Sequence, residues 1–177
     1  ADVRSRLIEG ARSPLLQGAL SGDDLCARWE AAAGDFPDCL IGTERRFISK
    51  GGSFLFIGPS GIGKSTLMTN MAAHWAAGRP WHGINVRRPL KILFIQAEND
   101  ADDLAEMFSE AVRGIERDLG AEAAQLARRN MLFCSESTKT GEAWCKWLEG
   151  MIRETGADLV IADPLLSYFG DDISSQK

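Results

Sequence analysis

The clearest chemistry in this 177-residue chain lies in the run GPSGIGKS, from Gly58 to Ser65. Its spacing fits the pattern G-x-x-x-x-G-K-[ST], and Thr66 follows it. Glycines allow backbone N–H groups to turn inward around phosphate oxygens, and the start of a helix adds partial positive charge. Lys64 is therefore predicted to reach the β- and γ-phosphates of a nucleotide, and the Ser65 hydroxyl to bind Mg²⁺. The predicted nucleotide-binding residues are consecutive: Gly58, Pro59, Ser60, Gly61, Ile62, Gly63, Lys64, Ser65 and Thr66.

A second candidate is Asp163, which ends the apolar run LVIAD and precedes Pro164. A carboxylate at a strand tip beside a phosphate loop can hold Mg²⁺, usually through its water shell. An acid after a strand is common by itself, so this interpretation depends on the phosphate loop upstream. The nearby Asp158 is interpreted as a solvated residue at the start of the strand.

Glu98 is the third candidate, because it follows the apolar run ILFI and the pair Gln96-Ala97. Hydrolysis of a nucleotide needs a group that orients and polarises the attacking water, and a carboxylate can do this. The competing interpretation is that Asn99 or Asp100 caps the next helix and that acids suit its first turn. Glu98 precedes that cap, so we predict a catalytic role for it. A Rossmann-type ribose contact is a further option, but the upstream loop is not G-x-G-x-x-G.

Alternating apolar patterns predict the elements that position these residues. Short apolar runs predict strands at 54–57, 92–95, 131–134 and 159–162. Helical periodicity predicts helices at about 64–77, at 102–118 and around 144–152. This order predicts an α/β fold with a mainly parallel sheet covered by helices on both faces. The carboxyl ends of the strands would then gather Gly58, Glu98, Ser135 and Asp163 at one edge.

Composition narrows the functional class further. The chain is 45% hydrophobic and 25% charged, with a net charge of −5 and no block of Lys and Arg longer than two residues. This argues against a surface dedicated to binding the nucleic-acid backbone. No run approaches 18 apolar residues and no signal-peptide core is present, so we expect a cytoplasmic protein with no membrane partner.

The N-terminal 1–35 are interpreted as a helical appendage to a main domain at 36–177. Several glycines interrupt the apolar pattern there. Ser21 and Asp24 resemble an N-cap with an acid at N3, and Leu25 and Trp29 would share one helical face.

Together these segments resemble the RecA-like P-loop ATPases. They are most similar to the branch with the hexameric replicative helicases of plasmids and related phage or mobile-element ATPases. The resemblance covers about 36–172 and is carried by four segments: KGGSFLFIG at 50–58 with GKST at 63–66, AGRPWHG at 77–83, ILFIQAEND at 92–100, and DLVIADPL at 158–165.

The resemblance implies a catalytic glutamate at Glu98 and the Walker B acid at Asp163. It also implies ATP and Mg²⁺ as cofactors, a homo-oligomeric and hexameric ring, and single-stranded DNA as a partner. The family continues past the Walker B acid with at least one more strand. We therefore expect the C-terminal part of the domain to be missing from the chain as given, which ends at Lys177.

Other functions remain open at this stage. The main alternative to a ring-forming, helicase-like ATPase is an ATP-gated regulator or scaffold that assembles with partners and hydrolyses slowly. A small-molecule kinase would use the same loop, but it would need a basic lid, which the sequence does not show. Four arginines are candidates for a residue that reaches the nucleotide of a neighbouring subunit: Arg45, Arg46, Arg87 and Arg88. Each of them can also be interpreted as a solvated surface charge.

Overall fold

Three parallel strands form the centre of the protein. The computed structural model describes residues 20–32, 37–42 and 46–169. The strands are β3 (Ile92–Gln96), β4 (Met131–Ser135) and β5 (Leu159–Asp163), in the order β4-β3-β5. Both pairings are parallel and in register, and Gln96 lies opposite Ser135 on one side and Asp163 on the other. The predicted strands at 92–95, 131–134 and 159–162 are confirmed, each one residue longer.

The central strand β3 is buried along its full length. Such a strand is covered on both faces, which explains why its sequence is continuously apolar until Gln96. Successive side chains of a strand point to opposite faces, so Ile92, Phe94 and Gln96 share one face, and Leu93 and Ile95 share the other.

Helices cover both faces of the sheet, as predicted. Five helices lie within the described residues: α1 (Gly22–Ala32), α2 (Lys64–Ala76), α3 (Ala101–Leu119), α4 (Ala121–Asn130) and α5 (Gly141–Thr155). The predictions at 64–77 and 102–118 are confirmed to within a residue. The sequence analysis did not predict α4.

Helix α2 packs on the first face of the sheet. Its Met68, Met71 and Trp75 share a buried cluster with Phe94 of β3 and Ile161 of β5. Burial of one large apolar side chain stabilises a fold by about 1.5–3 kcal/mol, so this cluster fixes α2 firmly on the strands.

Helix α5 packs on the second face. Its Trp147 and Met151 lie against Leu93 and Ile95 of β3 and Val160 of β5. On the α2 side, α3 and α4 add a second layer through a cluster with the alanines of α2.

The predicted strand at 54–57 is wrong for the part of the chain that the structure describes. These residues have no strand assignment, and their side chains are exposed, from 36% for Phe56 to 84% for Ile57. An extended apolar segment becomes a strand only when a neighbour pairs with its N–H and C=O groups. No described residue supplies that neighbour. Phe54 instead packs on Phe47 and Phe56, with ring centroids about 5 Å apart (5.4 and 5.3 Å).

A small antiparallel pair precedes this segment and was not predicted. Strand β1 (Cys39–Ile41) pairs with β2 (Ile48–Ser49). Ile41 and Ile48 are buried in the cluster beneath α2, so the pair belongs to the same core.

Helix α1 begins as the sequence predicts. The Ser21 Oγ accepts from the Asp24 backbone N–H at 3.1 Å, and the Asp24 carboxylate accepts from the Ser21 backbone N–H at 3.2 Å. This reciprocal pair is the predicted N-terminal cap. Leu25 and Trp29 are both about half exposed. The rest of the predicted appendage, and its boundary with the main domain at 35–36, lies outside the described residues.

In the part of the chain that the structure describes, no helix is long and apolar enough to cross a bilayer.

Candidate functional site

The loop that leads into α2 has the backbone shape that its glycines allow. Gly61 and Gly63 take the left-handed conformation, with φ of 79° and 87°. This conformation is costly for residues with a Cβ atom, which explains glycine at both positions. At Gly58 a Cβ would lie 2.6 Å from Ile62 Cδ1, the end of an exposed side chain, so a larger residue there would displace Ile62.

Lys64 folds back over this loop. Its ammonium group donates to the carbonyl oxygens of Gly58 at 3.0 Å and Pro59 at 2.8 Å. Both acceptors are neutral. A phosphate group arriving at the loop would offer charged oxygens, which form stronger hydrogen bonds with an ammonium.

The first turn of α2 is suited to an anion. Gly63 precedes it without a side-chain cap, and the turn contains no acidic residue. Its N–H groups and partial positive charge are therefore not neutralised locally. Helix α3 is the opposite case, because the Asp100 carboxylate caps it by accepting from the N–H groups of Asp102 and Asp103, both at 2.9 Å.

Asp163 ends β5 on the face of the sheet that α2 covers. It is 7% exposed and shares that face with Ile161, which packs beneath α2. Gln96 ends the neighbouring strand on the same face and is 1% exposed. The Gln96 Nε2 donates to Asp163 Oδ2 at 3.5 Å. A buried carboxylate with a hydrogen-bond donor thus lies at the carboxyl end of the α2 face.

Glu98 lies two residues beyond the end of β3 and is exposed. The capping role belongs to Asp100, as the competing interpretation of this segment predicted for Asn99 or Asp100. Glu98 is therefore free of the cap. Among the described residues, no hydrogen bond or ion pair connects Glu98 to the phosphate loop or to Asp163.

The hydroxyl-bearing residues of the loop differ in their surroundings. Ser65 is half-buried in the first turn of α2. Thr66 is exposed, and its hydroxyl contacts the Met107 sulfur of α3 at 3.8 Å. The loop is thus joined to the helix that follows Glu98.

Glu136 is a residue at this edge that the sequence analysis missed. It follows β4, and its backbone N–H donates to the Gln96 carbonyl oxygen at 3.0 Å. Its carboxylate pairs with the Lys139 ammonium and accepts from the Thr138 hydroxyl at 2.6 Å. These partners, Lys139 first, lower the pKa of Glu136 to about 2. The carboxylate therefore stays ionised and locks the loop between β4 and α5.

Tyr168 is a second missed residue. It lies in a 3₁₀ turn (Leu165–Tyr168) just after β5, is 3% exposed, and stacks on Trp144 of α5 with ring centroids 4.8 Å apart. Burial, with smaller effects from the nearby Glu136, Cys134 and Asp163, raises the pKa of Tyr168 to about 12. Its buried hydroxyl has no hydrogen-bond partner among the residues that the structure describes. The pattern of apolar residues gave no signal for this packing.

Two other sequence interpretations are corrected at the opposite edge. Arg88 and Asp158 form a bidentate ion pair, with contacts of 2.6 and 2.8 Å, and Asp158 also accepts from the Lys91 backbone N–H at 2.9 Å. Asp158 is therefore not simply solvated. Arg88 is likewise not simply a solvated charge, because this ion pair engages it at the amino end of β5; a role at a neighbouring subunit stays a prediction. Arg45 lies outside the described residues.

A comparison with protein-family models decides the family. The model described as AAA domain matches residues 27–177, which includes the phosphate loop, Glu98 and Asp163. The chain belongs to the AAA domain family. Neither a curated protein nor a solved structure shows significant similarity to it.

Members of the AAA domain family are P-loop ATPases, so membership supports nucleotide binding and ATPase activity for this chain. The donor groups also fit a nucleotide-bound Mg²⁺. No group of three or more His, Cys, Asp or Glu side chains that could hold a metal occurs in the described residues. Mg²⁺ at a phosphate site needs only one or two protein ligands and takes the rest from water and phosphate oxygens. Ser65 and Asp163 are an appropriate pair for this purpose.

Proposed function

We propose that this AAA domain protein binds ATP with Mg²⁺ and hydrolyses it, as part of a ring-forming, helicase-like or DNA-processing ATPase. The observation that carries the proposal is the combination of an uncapped helix, α2, carrying a glycine loop and Lys64, with a buried carboxylate, Asp163, on the same face of the sheet. These are the groups that a P-loop ATPase uses to hold nucleotide phosphates and Mg²⁺, so their presence on one face supports the proposal.

Each residue of the site has a defined task in the proposed reaction. The backbone N–H groups of the loop and Lys64 hold the phosphates. Mg²⁺, when bound through Ser65 and Asp163, would neutralise charge that develops on the phosphate oxygens. Glu98 orients the attacking water and accepts its proton, as a general base at the edge of the site.

The exposed position of Glu98 suits this task. A general base must reach a water that enters from solvent, and apo sites often tighten only when substrate binds. Glu98 lies two residues beyond β3, and β3 is hydrogen-bonded to β5, which ends in Asp163. The neighbouring ends of these two strands support a shared site for the two acids.

The ring and the DNA partner rest on the sequence resemblance alone. Rings of this kind couple γ-phosphate contacts to movement between two states. The net charge of −5 gives no support to a dedicated DNA-binding surface, so a slowly hydrolysing regulator is the alternative to test against.

Measuring ATP hydrolysis with and without single-stranded DNA, together with the mass of the assembly in solution, separates the two functions. A motor should form a ring and hydrolyse ATP faster when DNA is added. A regulator should bind ATP, assemble with it and show no response to DNA. A protein that stays monomeric with ATP and ignores DNA would contradict the ring-forming proposal.

A further inference from the structure

We propose that Gln96 is a positioning residue for the site: it fixes the Asp163 carboxylate and ties it to the strand that leads to Glu98. The proposal rests on the proposed function, because it assigns a task within that site. It concerns a neutral side chain to which the sequence analysis assigned no role.

The placement of Gln96 is unusual for its residue type. Glutamine is mostly exposed in proteins, yet Gln96 is 1% exposed at the end of a fully buried strand. A buried amide is costly unless its polar atoms have partners. The residues around it must therefore supply those partners.

Both ends of the side-chain amide are engaged. The Gln96 Oε1 accepts from the Ala97 backbone N–H at 3.1 Å, and Nε2 donates to Asp163 Oδ2 at 3.5 Å. An amide has a fixed polarity, so the first contact decides that the NH₂ group faces Asp163. The contact in turn restricts rotation of the carboxylate.

The same residue also connects three strand ends. The Ala97 N–H, already bonded to Gln96, lies 3.2 Å from the Asp163 carbonyl oxygen. On the other side, the Gln96 carbonyl oxygen accepts from the Glu136 N–H at 3.0 Å. These backbone hydrogen bonds, which any residue at position 96 could make, join the ends of β3, β4 and β5 just before Glu98, and the Gln96 side chain adds its contact with the Asp163 carboxylate.

This arrangement has a functional consequence. A metal ligand is most effective when its rotation is restricted by a hydrogen bond from a neighbouring group. Removing the amide should free the Asp163 carboxylate and weaken metal binding, while leaving the phosphate loop intact. A purely structural role would instead lower stability without a selective effect on the metal.

The test measures metal and nucleotide separately in Gln96→Met, which keeps the length of the side chain and removes its hydrogen-bonding groups. Mn²⁺ binding is followed by electron paramagnetic resonance in the complex with a non-hydrolysable ATP analogue. Nucleotide binding is followed with a fluorescent analogue in EDTA. Gln125→Met, at an exposed position on α4, is the matched control. Circular dichroism verifies folding, and Gln96→Asn, whose amide is too short to keep the contact, serves if Gln96→Met does not fold.

We expect Mn²⁺ affinity in the nucleotide complex to fall about tenfold in Gln96→Met, the lower end of what loss of a hydrogen bond to a charged group produces. Metal-free nucleotide affinity should stay within about twofold, and Gln125→Met should match the wild type in both measurements. Unchanged Mn²⁺ affinity in the folded variant, or an equal loss of Mn²⁺ and nucleotide binding, would overturn the proposal. A wild-type protein that binds Mn²⁺ and nucleotide without hydrolysis would contradict the proposed function but not the role of Gln96.

Discussion

Asp158 and Asp163 lie at opposite ends of β5 and have different partners. Asp158, just before the strand, forms a bidentate ion pair with Arg88. Asp163, at the last position, accepts a hydrogen bond from the neutral amide of Gln96. The charge of Asp158 is thus balanced by Arg88 within the chain, whereas the partner of Asp163 is neutral. Two residues of one type at the two ends of one strand therefore have different surroundings, and only those of Asp163 leave room for a cation as a further partner.

The first prediction concerns Asp158. The Asp158→Asn substitution should lower the free energy of unfolding by about 1 kcal/mol, because it weakens a partly exposed ion pair and one hydrogen bond to the backbone. Urea unfolding measures this, and nucleotide affinity should not change. The matched control is Asp118→Asn, which removes a more exposed ion pair, that of Asp118 with Arg117, and should change stability less than Asp158→Asn does. A loss of nucleotide affinity in Asp158→Asn would show that the two ends of β5 are not independent.

The second prediction concerns Lys64. In Lys64→Ala, nucleotide affinity should fall about 10- to 100-fold, because the ammonium contact with phosphate is lost. Fluorescence anisotropy with a labelled ATP analogue measures it. Lys146→Ala on α5 removes an exposed lysine that pairs with its helical neighbour Glu142, and this variant should bind nucleotide normally. Equal affinity of the wild type and Lys64→Ala for the ATP analogue would contradict the prediction that the phosphate loop binds nucleotide.

The third prediction concerns the pH dependence of stability through Glu136. Its pKa in the folded protein, about 2, lies below the usual 4.5. The ionised form is thus favoured by folding, so its stabilisation is complete above about pH 4.5 and is lost as pH falls toward 2. Glu136→Gln should therefore unfold more easily than the wild type at pH 7, and the difference should shrink between pH 4.5 and pH 3. Urea unfolding across this range measures it; a difference that does not depend on pH would mean that the Lys139 contact is not the cause.

Much of the fold follows from the sequence, for a simple physical reason. A buried parallel strand needs a continuous apolar run, and a helix packed on one side needs an apolar stripe, so β3, α2 and α3 are visible as patterns. The segment 54–57 has the same apolar run and is not a strand among the described residues. Its apolar composition predicts that the segment could be buried. A strand also needs a neighbouring strand for its hydrogen bonds, and the local sequence does not predict that neighbour.

Part of the candidate site could also be predicted from the sequence and part could not. The loop at 58–66 was predictable because phosphate binding requires glycines and a lysine at a set spacing. Gln96 and Tyr168 were not, because their partners Asp163 and Trp144 are far away in the sequence. Glu136 was missed although its carboxylate partners, Thr138 and Lys139, are close in the sequence. A glutamine at the end of an apolar strand was the one signal that could have been followed, since a buried amide requires partners.

The central claim, that this AAA domain protein hydrolyses ATP with Glu98 as general base, is tested most directly by Glu98→Gln. The rate of ATP hydrolysis and the affinity for ATP are measured in parallel for the wild type, for this variant and for Glu106→Gln, an exposed glutamate on α3. We predict that Glu98→Gln keeps ATP affinity within about twofold and loses about 100-fold or more in kcat, the usual effect of removing a general base. Glu106→Gln should behave as the wild type. Hydrolysis by Glu98→Gln at the wild-type rate would contradict the assignment of the base and, with it, this account of how the protein works.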